Sequence, residues 1–241
     1  MRRDQVLDSD KRLVRSVREQ FGLKDRITRI TMQFVDGAQH ELHDAGWNVR
    51  LRRFEADDDL ELTYKRRYPF GDGTLEAVRA MAACDGFDAH EDDYDAQVEW
   101  GSQRRTLTLS TRKKIHQRGS ENMNLPNAHD SRTISADGLP GKLKRLALSG
   151  SAVRILSDAH VYGPVSGRRW TGEWSGTGLS IELWTLDRAP PEHRHVVEIS
   201  FKHDDETEAG VRRKILHEVL SEKNWLLDED VLKTELILKC Y

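Results

Sequence analysis

The sequence predicts an α+β protein in which about eight strands form a closed or nearly closed antiparallel β-barrel, with helices packed outside. Many segments alternate apolar with polar or charged residues, the period-two pattern of a strand that has one buried face. Three other segments place apolar residues on one side of a helix. In an open sheet the polar face would meet water. In a closed barrel it could line a lumen while the apolar face packs against the helices.

The predicted elements follow one another without a repeat or a low-complexity linker. A helix over residues 8–22 is predicted because its apolar residues share one face and Gly22 can end it. Alternation and helical spacing predict, in order, a strand over 27–35, a hairpin over 47–67, a helix over 74–84 and strands over 94–101 and 105–114.

The second half of the chain is less regular at first. Residues 116–139 are aperiodic and predict a long loop, and short helical turns are expected within 142–158. After these come a hairpin with arms 168–174 and 179–186, a strand over 196–202 and an amphipathic helix over 207–223. Alternation of Leu232, Thr234, Leu236, Leu238 and Cys240 predicts a final strand over 232–241.

The hairpin over residues 47–67 carries the densest charge pattern. Alternation puts Val49 and Leu51 on one face and Arg50 and Arg52 on the other, where Lys65 of the second arm can join them. A polyanion between such cations would relieve their repulsion and gain charge-assisted hydrogen bonds of roughly 1.5–3 kcal/mol each. The alternative is the ordinary solvent-exposed face of an antiparallel hairpin, which is the better interpretation of the hairpin taken alone.

Composition limits the classes of function. The chain has 241 residues, enough for one large domain or two small ones, and its formal net charge of -3 does not favour general attraction to nucleic acid or anionic membranes. No apolar run is long enough to cross a bilayer and no signal peptide follows Met1, so a cytoplasmic location is the default expectation. Nucleic acid and membrane are therefore not the expected partners.

Cations and carboxylates alternate on the same strands. Such a mixed surface suits a metal–polyphosphate ligand, because cations neutralise phosphate oxygens and carboxylates hold a divalent metal ion.

Four segments carry a family resemblance. GWNVRLRR followed by LELTYKRR resembles the arginine strand and the Thr-x-Lys strand of the CYTH domain, the triphosphate tunnel metalloenzyme family. MQFVDGAQHELHDAG resembles the strand and turn before the arginine strand, and LSIELWTLD and VVEISFK resemble the late acidic strands. The resemblance runs from about residue 27 to 202. Within the family, the chain resembles fungal CYTH-domain proteins that have no assigned substrate.

The resemblance implies a tunnel of antiparallel strands that binds a triphosphate or polyphosphate with Mg²⁺ or Mn²⁺. Family members cleave inorganic triphosphate, thiamine triphosphate or nucleoside triphosphates, or cyclise ATP. The implied phosphate-binding residues are Arg50, Arg52, Lys65, Arg112 and Arg169, with Arg168 as an alternative to Arg169. The implied metal ligands are Glu182 and Glu198, with Glu99 as a weaker candidate. No catalytic residue is assigned.

One departure from the family pattern leaves two functions to consider. The signature Glu-x-Glu-x-Lys does not occur in residues 1–27, and only degenerate forms occur at 61–65 and 198–202. The chain is thus expected to be one CYTH-like domain over residues 1–241 that lacks the first strand of the family. It is predicted to be a metal-dependent hydrolase of a triphosphate or polyphosphate. The alternative is a catalytically depleted module that binds polyphosphate or a phosphorylated ligand without turnover.

Overall fold

The computed structural model describes residues 1–55, 57–71, 73–87, 94–101, 104–116, 123–145, 151–203, 205–227, 229 and 233–241. The strands in these ranges are β1 (Leu23–Asp36), β2 (Trp47–Phe54), β3 (Asp59–Pro69), β4 (Asp95–Trp100), β5 (Arg105–His116), β6 (His160–Trp174), β7 (Thr177–Thr185) and β8 (His195–Phe201). The helices are α1 (Arg3–Val6), α2 (Arg15–Gln20), α3 (Glu41–Asp44), α4 (Leu75–Cys84), α5 (Ala128–Asp137), α6 (Gly141–Lys144), α7 (Ala152–Ser157), α8 (Glu206–Glu222) and α9 (Lys233–Cys240).

The strands belong to one eight-stranded sheet in the order β4-β5-β3-β2-β1-β6-β7-β8. The predicted α+β class and antiparallel sheet are confirmed. Among the described strands, β4 and β8 stand at the two ends of this order.

The chain divides into two compact units. Unit 1 comprises Met1–Ile30 and Val165–Leu236, and unit 2 comprises Thr31–Pro164 and Ile237–Tyr241. Each unit has its own apolar core, so each can be described from its own contacts.

In unit 2, one face of β2, β3 and β5 packs against helices. Val49, Leu51 and Leu62 are buried there together with Val78 of α4 and Leu156 of α7. Since neighbouring residues of a strand point to opposite faces, this packing directs Arg50 and Arg52 of β2 and Lys65 of β3 away from the core.

In unit 1, β6, β7 and β8 use the same arrangement. Trp170, Ile181 and Val197 pack with Phe21 after α2 and Leu216 of α8. The residues between them on each strand therefore lie on the other face, where the polar residues of this unit collect.

The N-terminal helix is shorter than predicted. It begins at Arg15 rather than at residue 8, because Leu7 and Leu13 form a β-bridge in the preceding segment. Its end agrees with the sequence: Gly22 has a φ of +54°, and a Cβ there would lie 2.7 Å from the carbonyl oxygen of Glu173. Only glycine meets both conditions easily.

Two other predictions are wrong. The predicted loop over 116–139 contains α5, whose N-cap Asn127 accepts a hydrogen bond from the backbone of Asp130; residues 117–122 lie outside the described residues. The predicted final strand is the helix α9, in which the buried residues Thr234, Ile237 and Leu238 have helical spacing. Residue 232 lies outside the described part. The helical turns expected within 142–158 are α6 and α7, with 146–150 not described.

None of the helices in the described ranges is long and apolar enough to span a membrane.

Candidate functional site

The β2–β3 hairpin places the predicted phosphate-binding residues of unit 2 on one face. In the strand register Arg50 lies opposite Thr63, Arg52 opposite Glu61, and Lys65 opposite Asn48. The core-facing residues of both strands are buried against the helices, so these cations share the other face, as the alternation predicts.

Glu61 holds the two arginines. Its Oε1 accepts a hydrogen bond from Nη2 of Arg52 at 2.6 Å and from Nη2 of Arg50 at 3.2 Å, and Thr63 Oγ1 donates to the same oxygen at 3.1 Å. The side chains of Arg50 and Arg52 are only 16% and 15% exposed. The hairpin face is therefore neither a solvated surface nor a row of unneutralised cations.

The two arginines also control the ionisation of Glu61. Burial acts to raise the pKa of this carboxyl, but the charges of Arg52 and Arg50 outweigh burial and hold the pKa below its ordinary value. Near neutral pH, Glu61 is therefore an anion that occupies the hydrogen-bonding groups a phosphate would need. Arg52 Nε is buried and has no hydrogen-bond partner among the described residues.

Lys65 has a different carboxylate partner. Its Nζ donates to Glu99 Oε1 at 2.9 Å, and Arg67 Nε lies 3.7 Å from the other oxygen of Glu99. Burial lowers the pKa of Lys65 to about 8, with Glu99 opposing the shift and the nearby Arg50 and Arg67 adding to it. Burial raises the pKa of Glu99, but Lys65 and Arg67 outweigh it, so the net pKa is below the ordinary value.

Glu99, the weaker of the predicted metal ligands, lies in unit 2 as the counter-ion of Lys65 and Arg67. A carboxylate already paired with two cations is poorly available to a metal ion.

Arg112 is peripheral to this group. Its backbone lies opposite Thr63 in the β3–β5 register, but its guanidinium pairs with Asp95 and its side chain is 44% exposed. Exposed ion pairs of this kind contribute little energy, so Arg112 remains a weaker phosphate candidate than Arg50 or Arg52.

A second polar group lies in unit 1, where Arg169, Glu182 and Glu198 form a row. Arg169 is opposite Glu182 in the β6–β7 register, and Glu182 is opposite Glu198 in the β7–β8 register. Arg169 Nε lies 3.1 Å from Glu182 Oε1. Arg168, the alternative to Arg169, instead donates to the backbone oxygen of Lys11 at 3.4 Å.

Lys233, at the start of α9, completes this second group. Its Nζ lies 2.9 Å from Glu198 Oε2, 3.4 Å from Glu182 Oε2 and 4.1 Å from the ring centroid of Trp184. This role could not be predicted from the sequence, because the apolar alternation around Lys233 predicts a strand and no motif marks this lysine. Lys233 becomes a candidate only once residues 233–240 are known to form a helix that begins at this lysine.

The predicted carboxylates do not fit a resident Mg²⁺ or Mn²⁺. Mg²⁺ takes about six oxygen ligands and commonly binds proteins through one or two carboxylates, with water and substrate phosphates as the remaining ligands. Glu182 and Glu198 are two carboxylates that already share an ammonium group, and Glu99 belongs to the cations of unit 2. Within the part of the chain that the structure describes, no group of three His, Cys, Asp or Glu residues could hold a metal ion.

Comparison of the fold with solved structures agrees with the resemblance seen in the sequence. A candidate adenylyl cyclase, HpAC1 from Hippeastrum, whose dominant activity is that of a triphosphatase, aligns with a TM-score of 0.58 and 11% identity over 92% of this chain and 88% of its own. It is a protein of the CYTH, or triphosphate tunnel metalloenzyme, type, and the likeness is one of fold.

Two further structures align less well. A candidate adenylate cyclase of Bacillus halodurans has a TM-score of 0.46 and 12% identity, over 87% of this chain and 81% of its own. The PH1819 protein of Pyrococcus horikoshii has a TM-score of 0.49 and 14% identity, over 92% and 90%. No protein-family model and no curated protein sequence matches the chain.

Proposed function

We propose that this chain is a CYTH-like module that binds a triphosphate or polyphosphate through Arg50, Arg52 and Lys65, without turning it over by metal-dependent hydrolysis. The observation that carries the proposal is the sharing of one shielded strand face by these cations, each held by a carboxylate. A phosphate oxygen can take the place of either carboxylate, because arginine and lysine donate charge-assisted hydrogen bonds to carboxylate and phosphate oxygens alike.

The shielding of these side chains favours a charged ligand. Between partly buried groups, electrostatic attraction is screened less by water and salt than on an open surface. A triphosphate carries several negative charges along one chain and can contact more cations than the single carboxylate of Glu61 or Glu99. That multiplicity is the source of the expected affinity, since each added charge-assisted hydrogen bond contributes about 1.5–3 kcal/mol.

Arg52 provides the direct test. Arg52→Ala should weaken tripolyphosphate binding by about 10- to 150-fold, the equivalent of about 1.5–3 kcal/mol for one hydrogen-bonded charge. Calorimetric titration in a buffer with a chelator would measure it. Arg154, an exposed arginine of α7, gives the matched control, and Arg154→Ala should leave the dissociation constant unchanged. Equal losses in both variants, or in neither, would contradict the assignment of the phosphate to the hairpin.

A metal-dependent triphosphate hydrolase is the second candidate. Its support is the likeness of fold to HpAC1, a protein whose dominant activity is that of a triphosphatase. Phosphate release from tripolyphosphate, thiamine triphosphate or ATP, each with Mg²⁺ or Mn²⁺, tests it. Release that follows enzyme concentration and is lost in Arg52→Ala would favour this candidate over a module that only binds.

A further inference from the structure

Two glutamates of unit 1, Glu182 and Glu198, lie side by side on adjacent strands. Glu182 of β7 and Glu198 of β8 are directly opposite in the register, so both carboxylates project from the same face. Like charges in that position repel unless a cation lies close to both. The source of that cation decides what the pair can bind.

Both oxygens of Glu182 already have partners, Oε1 in an ion pair and Oε2 in a hydrogen bond and an ion pair. Oε1 is paired with Arg169 Nε at 3.1 Å. Oε2 accepts a hydrogen bond from Trp184 Nε1 at 2.9 Å and lies 3.4 Å from Lys233 Nζ. The side chain of Glu182 is 10% exposed, so few water molecules can exchange for these partners. A metal ion at this carboxylate would have to enter between these partners, and both Arg169 and Lys233 would repel it.

Lys233 is held from three sides. Two carboxylate oxygens, on Glu182 and Glu198, lie within ion-pair distance, and the Trp184 ring covers the ammonium group at 4.1 Å from its centroid. An aromatic face attracts a cation through its quadrupole, and more strongly when water is excluded. Trp184 thus contacts both ions, as a hydrogen-bond donor to Glu182 and as a ring beneath Lys233.

We propose that Lys233 is the resident cation of the Glu182–Glu198 pair and takes the position that a divalent metal ion would need. The proposal deepens the function proposed above, because it gives the physical reason for binding without metal dependence. The formal charges of these two glutamates, Arg169 and Lys233 sum to zero, and the N-terminal ammonium of Met1 is a further positive group that acts on Glu198. A divalent cation that entered would add two positive charges to side chains that are already balanced, whereas removal of the lysine would leave these side chains with one negative charge for a metal ion to neutralise.

The experiment is a conversion of the lysine site into a metal site, carried out without any phosphate. Mn²⁺ is titrated into the wild type and into Lys233→Ala, with calorimetry and thermal melts as the two measurements. We expect Lys233→Ala to melt at a lower temperature than the wild type in chelator and to regain stability with Mn²⁺. Its apparent Kd for Mn²⁺ should be about tenfold lower than that of the wild type, or lower still.

Three further variants make the result specific. Lys239, an exposed lysine in the last turn of the same helix, is the matched control, and Lys239→Ala should show no Mn²⁺ response. Lys233→Arg keeps a cation and should remain insensitive to Mn²⁺. Adding Glu198→Gln to Lys233→Ala removes the excess negative charge, so the double variant should lose the Mn²⁺ response.

The proposal can also be overturned without Lys233→Ala, in case that variant fails to fold. Saturable Mn²⁺ binding by the wild type that disappears in Glu182→Gln would show that the carboxylates hold a metal ion despite Lys233. A folded Lys233→Ala that binds Mn²⁺ no better than Lys239→Ala would also refute it. Neither result depends on phosphate binding, so this proposal and the proposed function can fail separately.

Discussion

Replacing Glu61 by glutamine should strengthen tripolyphosphate binding, although the substitution removes an ion pair. In the free protein, Glu61 Oε1 occupies Nη2 of Arg52 at 2.6 Å and Nη2 of Arg50 at 3.2 Å. A bound phosphate oxygen must compete for these same donors. In the complex the carboxylate would then be an anion beside a polyanion.

The size of the effect follows from the separation between the bound phosphate oxygen and the Glu61 carboxylate. A phosphate oxygen on the same guanidinium nitrogens would lie about 4 Å from Glu61, where two like unit charges cost about 4 kcal/mol at an effective dielectric of 20. Rotation of Glu61 and uptake of a proton reduce this figure. We expect a gain of about 1–3 kcal/mol, or about 5- to 150-fold in Kd. The free variant should be less stable, because its two arginines lose a buried counter-ion.

Calorimetry with tripolyphosphate near neutral pH measures the affinity, and denaturant unfolding measures the stability. Glu61 is ionised at this pH, since Arg52 and Arg50 outweigh its burial and keep its pKa low. The matched control is Glu218→Gln, at an exposed glutamate of α8, which should change neither quantity. Unchanged or weaker binding by Glu61→Gln would refute the idea that Glu61 and phosphate compete for the same arginines.

Two more predictions concern Lys65 and Arg53. Because burial brings the pKa of Lys65 to about 8 in the free protein and a bound polyanion would raise it, tripolyphosphate affinity should be full below that pH and fall as pH rises through it. Calorimetry across this range should show the fall in the wild type and a flatter profile in Lys65→Met; identical profiles would contradict the role of Lys65. Arg53, 2% exposed, donates to the backbone oxygens of Asn124 and Asp58, so Arg53→Ala should lower the free energy of unfolding by about 2–4 kcal/mol, measured by denaturant unfolding. A loss below about 1 kcal/mol would show that these buried hydrogen bonds are dispensable.

The sequence predicts the strands of the candidate site well because their alternation is strict. Arg50 and Arg52 on one face, with Arg53 on the core-packed face, follow from a period of two residues. The row of Arg169, Glu182 and Glu198 follows in the same way once the hairpin and the next strand are paired. These placements depend only on local pattern and neighbouring strands.

The partners of these residues could not be predicted. That Arg50 and Arg52 share Glu61, and that Lys65 pairs with Glu99, depends on register across strands that the sequence does not fix. Lys233 was missed for a different reason. The segment that holds it alternates apolar residues, yet it folds as a helix because Thr234, Ile237 and Leu238 are the residues that become buried.

The most direct test of the account is a calorimetric titration of the wild-type protein with tripolyphosphate, first in chelator and then with Mg²⁺. The account predicts saturable binding in chelator that is at least as tight as binding with Mg²⁺, because Arg50, Arg52 and Lys65 act on the phosphate directly and Mg²⁺ would neutralise part of its charge. Binding that occurs only when Mg²⁺ is present would contradict it.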